Sequence, residues 1–130
     1  MLGIKRNTGY AILLFCGVGL ATADVRAQDL GNGWTPNALE LARLPDYCQK
    51  FFLEKKTPPN CDGVHHLCAG KVLINRVSDY SIPKTERQRI LRRAKDEVSY
   101  IFGRKNAQCE YMGVAEATLG QIRTLEIIVR

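Results

Sequence analysis

Gly63-Val64-His65-His66-Leu67-Cys68-Ala69-Gly70-Lys71-Val72-Leu73-Ile74-Asn75-Arg76-Val77-Ser78-Asp79 decides the fold of this 130-residue chain. Val64, Leu67, Cys68, Ala69, Val72, Leu73, Ile74 and Val77 leave a helix of this length apolar around most of its circumference. That is the pattern of an element buried on more than one side, because an amphipathic surface helix keeps only one apolar stripe. The segment is therefore predicted to be a central helix with neighbours on several sides.

Working outward, the flanking segments repeat a helical period, and no window alternates apolar and polar residues long enough to argue for a sheet. Pro36 to Arg43 reads as a short helical turn after a glycine-bearing leader at 28–35. Pro45 then suits the start of a new helix. In that helix Leu44, Tyr47, Cys48, Phe51 and Phe52 make one apolar stripe, and Thr57-Pro58-Pro59-Asn60 stops it. Beyond the break Ser81-Ile82-Pro83, a helix is predicted from about Thr85 to Phe102. Thr85 and Gln88 have capping-box spacing, Ile90, Leu91, Ala94, Val98, Ile101 and Phe102 form the inner face, and Gly103-Arg104-Lys105-Asn106 offers a left-handed exit. A last helix, about Gln108 to Glu126, is rich in small residues. Glycine in a helix costs about 1 kcal/mol against alanine, so Gly113 and Gly120 are expected to sit in close contact with a neighbouring helix. The fold class is all-α, about four helices in antiparallel hairpins, because links of roughly five residues force antiparallel neighbours.

Five cysteines divide unevenly: Cys16 lies in an apolar stretch near the start, and Cys48, Cys61, Cys68 and Cys109 in the remainder. The first stretch has the three parts of a cleavable export signal. Lys5 and Arg6 give a positive start, Tyr10 to Ala21 is largely apolar, and Ala21-Thr22-Ala23 and Val25-Arg26-Ala27 are small-residue cleavage patterns. The apolar run is shorter than the roughly 20 residues of a membrane span, so no stable membrane span is expected after cleavage. Residues 1–27 are thus read as a signal peptide and residues 28–130 as a single helical domain, periplasmic or secreted. An even set of four thiols in an oxidising compartment implies two disulfides. In paired hairpins the first and third connections lie at one end, which brings Cys61 to Cys109, while Cys48 and Cys68 occupy facing stripes of the first hairpin.

The charge pattern narrows the function classes. Loss of Lys5, Arg6, Arg26 and Asp24 with the signal leaves sixteen cationic and twelve anionic side chains, a net of +4, which favours solubility and weak attraction to acidic partners. Lys84, Arg87, Arg89, Arg92, Arg93 and Lys95 cluster, but Glu86, Asp96 and Glu97 interleave with them and stacking aromatics do not. The run reads as a solvated helix face, with no nucleic acid as partner. Enzyme chemistry finds no constellation: paired cysteines leave no thiolate, Asp46, Asp62, Asp79 and Glu97 are dispersed, and no glycine-rich phosphate loop is present. Cys61, His65, Cys68 and Cys109 are the only set resembling metal ligands. Export favours disulfides, C-x-x-C is missing, and adjacent histidines on a helix point about 100° apart, so no metal or other cofactor is expected. One histidine is expected to pack on the first hairpin and the other to be exposed.

Leu44-Pro45-Asp46-Tyr47-Cys48, followed by His65-His66-Leu67-Cys68-Ala69-Gly70 and Asn75-Arg76, resembles the amino-terminal part of exported bacterial tetratricopeptide-repeat proteins. There an L-P-x-Y-C segment precedes H-H-Y-C-x-G and N-R. Here Leu67 stands in place of the tyrosine and the first link is short. The resemblance implies a binding or scaffold module, because such repeats stack helix pairs into partner surfaces. Ile122, Leu125, Ile127 and Ile128 are the expected docking residues, for a protein partner or for self-association, in an accessory component of a larger assembly. A metal-binding or redox-related periplasmic protein is the alternative.

Protein recovered from an exporting host is expected to begin at Asp24 or Gln28 and to lack Cys16. Intact-mass measurement checks this, and an exported pool that still starts at Met1 would remove the compartment argument.

Overall fold

A computed structural model describes residues 34–103 and 106–130. The signal segment 1–27, the leader through residue 33, and Arg104 and Lys105 of the expected helix exit lie outside the described residues. Those described are helical, with no strand among them. The elements are α1 (Ala38–Ala42), α2 (Asp46–Glu54), α3 (Val64–Val77), α4 (Lys84–Ser99), a 3-10 turn (Tyr100–Phe102) and α5 (Met112–Ile128).

Helix α3 is the centre, as its pattern requires. Val64, Leu67, Cys68, Ala69, Gly70, Val72, Leu73, Ile74 and Val77 are all buried, and α1, α2, α4 and α5 each touch it. The weight of the packing falls on α4. Ile90, Leu91, Ala94 and Val98 of α4 are buried and join α3 in a core completed by Ile101, Ala115, Ile122 and Val129. Each fully buried Leu, Ile or Val contributes about 1.5–3 kcal/mol, so this layer dominates the stability. The two helices pack tightly at Gly70, where a Cβ would lie 2.3 Å from Val98 Cγ2 and 3.2 Å from the Ala94 carbonyl oxygen.

The short helices are held by polar and covalent ties more than by area. In α1, Asn37 Oδ1 accepts from Glu40 N and Glu40 Oε2 accepts from Asn37 N, both at 2.9 Å, which closes a capping box. Arg76 of α3 then grips the same glutamate, Nε to Oε1 at 2.6 Å and Nη2 to Oε2 at 3.0 Å, and Nη2 also donates to the Thr35 carbonyl at 3.0 Å. Of the α2 stripe only Leu44 and Cys48 are buried; Tyr47, Phe51 and Phe52 remain half-exposed. The Cys48–Cys68 disulfide ties α2 to α3, with Cα atoms 5.4 Å apart.

The second disulfide, Cys61–Cys109, joins the α2–α3 link to the α4–α5 link with Cα atoms 4.7 Å apart. Both pairings match the expectation from antiparallel topology. Beside it the buried Asn106 accepts from Gly63 N through Oδ1 at 2.9 Å, so the entry to α3 is bonded to the link that precedes α5. By the chain-entropy argument, loops of 20 and 48 residues stabilise by about 3 and about 4 kcal/mol.

Two local expectations are corrected. Thr85 and Gln88 do not form a capping box: Pro83 is the N-cap of α4 and no side chain caps it. Gln88 Nε2 instead donates to the Val129 carbonyl at 3.2 Å, tying α4 to the end of α5. Gly103 leaves the helix in extended backbone, φ −62° and ψ 152°. Among the described residues the left-handed ones are Lys55 and Asn60, at φ 57° and 56°, and they bracket the α2–α3 link.

Gly70→Ala is expected to lower unfolding stability by about 1–3 kcal/mol, the usual range for overpacking a tight core, because neither the β-branched Val98 nor the Ala94 backbone can retreat cheaply. Urea denaturation with the disulfides intact measures it; an unchanged midpoint would mean that α3 and α4 separate there at no cost.

Candidate functional site

The residues singled out in the sequence fall into three places. Cys48, Cys61, Cys68 and Cys109 are paired and buried, so the metal set Cys61, His65, Cys68 and Cys109 has no thiolate to offer. Among the described residues no three His, Cys, Asp or Glu side chains converge as metal ligands.

His65 and His66 stay together although they leave the helix about 100° apart. Their ring centroids are 4.1 Å apart, His65 leans toward Phe51 of α2 at 5.7 Å, and His66 lies 3.8 Å from the Tyr100 ring. His66 Nδ1 is 2.7 Å from Glu97 Oε2. Because a carboxylate only accepts, Nδ1 is the donor. Arg93 Nε reaches the other oxygen of Glu97 at 4.0 Å. His65 packs on the first hairpin as expected, but His66 is not an exposed partner; its side chain keeps 27% of its accessibility. The signal that could have located Glu97 and Tyr100 is spacing: Glu97 lies one turn beyond Arg93 on α4, and Tyr100 follows it at the start of the 3-10 turn.

Between α2 and the start of α5 runs a groove of about 430 Å³ lined by Asp46, Tyr47, Lys50, Glu54, Lys56 and Tyr111 among others. The Tyr47 and Tyr111 rings stack at 4.3 Å. Burial, with a smaller contribution from Tyr111, pushes the Tyr47 phenol up to about 12, so it stays neutral, and its buried hydroxyl has no hydrogen-bond partner among the described residues. The walls carry both signs of charge, with Lys56 and Glu54 already paired at 2.8 Å. That balance selects no ligand class. The basic face of α4 is also largely partnered: Arg89 pairs with Glu86, Lys95 approaches Glu126, and the Arg87 guanidinium covers the Tyr80 ring.

The third place is α5. Its inner stripe, Ala115, Thr118 and Ile122, is buried, and Leu125 packs half-buried against the same core. The placing of Ile122 on a docking surface is therefore corrected: it has no exposed surface, and a lysine there would bury an unpaired charge. Ile127 and Ile128, by contrast, are 67% and 62% exposed. Gly113 and Gly120 do not make the close contact expected of them, since nothing lies within 4 Å of where a Cβ would stand at either position. Each costs about 1 kcal/mol relative to alanine, and the described bundle offers no offset. Ala117 and Thr124 lie exposed between and beyond them, and Thr124 Oγ1 is folded back onto the Gly120 carbonyl at 3.2 Å. The result is a smooth, weakly polar helix face that ends on two exposed isoleucines.

His65 makes stability pH-dependent. Burial, then the neighbouring His66, holds the His65 imidazole below its ordinary range. The unfolded chain therefore binds a proton at His65 more readily than the folded one. Stability from this residue is complete above the unfolded value, about 6.5, and is lost as pH falls toward the lower folded one. His65→Gln is expected to shrink the drop in thermal midpoint between neutral and mildly acidic buffer; an equal drop in both proteins would place the acid sensitivity elsewhere. Comparison with protein-family models, with curated proteins and with solved structures finds no match to this chain.

Proposed function

We propose that this chain is an exported interaction or scaffold module, periplasmic or secreted, that serves as an accessory component of a larger assembly and docks through the outer face of α5. The carrying observation is that Gly113 and Gly120 weaken the helix although nothing among the described residues lies within 4 Å of where a Cβ would stand, on the face that also exposes Ile127 and Ile128. A helix that gives up propensity for flatness without using it in its own core is shaped for a close neighbour, and clustered exposed apolar side chains commonly mark such contacts.

Further support comes from the covalent frame and the segment at Leu44 to Arg76. Two disulfides fit an oxidising, exported environment, and no helix among the described residues is long and apolar enough to cross a membrane. The likeness of that segment to tetratricopeptide-repeat proteins favours a binding role over catalysis. The Cys/His metal or redox alternative has no specific observation in its favour.

A photo-crosslinking residue placed at Thr124 of the exported chain is expected to give a discrete protein adduct. Ile127→Lys together with Ile128→Lys should abolish that adduct while changing the unfolding free energy by no more than about 0.5 kcal/mol, because both positions are surface sites. If wild type yields no adduct and no self-association at high concentration, the interaction reading fails.

A further inference from the structure

The open face of α5 has a register of its own. At 100° per residue, Gly113, Thr124 and Ile127 lie within about 40° of Gly120 and Ala117 within about 60°, while Glu116 and Arg123 share one flank at about 40° and 60° on the opposite side. All of these residues are exposed. Neither Glu116 nor Arg123 makes an ion pair among the described residues. Two turns apart on one helix, they are too distant to pair with each other.

We infer that this face takes a second copy of the same chain, with the two α5 helices antiparallel about a two-fold axis at Gly120; the inference rests on the interaction reading above and names its partner. Such an axis sets a residue a given number of positions beyond Gly120 opposite the residue the same number before it. Ile127 then meets the gap at Gly113 of the second copy, a large side chain against an absent one, and the same contact recurs at the other end. An axis perpendicular to the plane of the two helices also keeps the Glu116/Arg123 flank on the same side in both copies. Glu116 therefore comes beside Arg123 of the second copy, and Arg123 beside its Glu116. The face is complementary to itself in shape and in charge. A parallel pair is not: it sets Ile127 against Ile127 and Gly113 against Gly113, crowding one end and leaving a void at the other, and it turns the charged flanks apart. Glycines at the crossing let the helix axes come close, since side-chain size there governs the separation.

Sedimentation equilibrium of the chain recovered from an exporting host tests this. Wild type is expected to dimerise, Glu116→Arg or Arg123→Glu to lower the association constant about tenfold by replacing two symmetry-related attractions with repulsions, and the double reversal to restore it. Gly120→Leu is expected to abolish the dimer while raising the thermal midpoint, because the open site accepts a side chain and leucine favours the helix; a purely structural glycine would move both readings together. A wild-type chain monomeric at every concentration, or a double reversal that fails to recover association, overturns the self-pairing. If the Thr124 adduct is then a different protein, the interaction reading survives without it, and if no adduct forms both fall.

Discussion

Burying a helix on nearly every side is the constraint from which the remaining structure follows. Helix α3 exposes almost nothing of its apolar surface, and a domain of about a hundred residues has little chain with which to surround it. Helices α4 and α5 are long enough to contribute area. Helices α1 and α2 are not, with five and nine residues, and they stay in place through the Arg76–Glu40 grip and the Cys48–Cys68 bridge. The polar and covalent ties thus stand where apolar area is scarcest.

The same residue type serves opposite ends in neighbouring helices. Gly70 is where two helices would collide if a Cβ were present, so its absence sets how closely α3 and α4 pack. At Gly113 and Gly120 a Cβ would meet nothing among the described residues within 4 Å, so they weaken α5 without tightening a contact there. One glycine is explained within the fold. The other two find no such reason among the described residues, and so the proposed function rests on α5 and not on the groove or the histidines.

The histidine cluster shows how tertiary contacts override local geometry. Successive residues on α3 leave the axis in different directions, yet Phe51 on one side and Tyr100 with Glu97 on the other hold the two imidazoles ring to ring. Burial of the ring, and then the second basic ring beside it, disfavours a proton on His65. The cluster joins the loosely held α2 to the well-packed α3 and α4.

The sequence by itself determined the helical class, the central place of α3 and both disulfides. An apolar pattern around a whole helix, breaks at prolines, and links too short for anything but antiparallel neighbours are local or topological facts, and they leave one pairing of four cysteines in reach. Only the tertiary structure decided which side of α5 faces inward. Gly113, Ile122 and Ile127 look equally plausible as contact residues in a string of small and apolar letters, and the choice of Ile122 for the core comes from the shape of the gap left by α3 and α4. The fate of Gln88, bonded to the Val129 carbonyl instead of a helix start, and the meeting of His66 with Glu97 were hidden for the same reason. Each depends on residues 31 to 41 positions away, brought near by packing that no local spacing encodes.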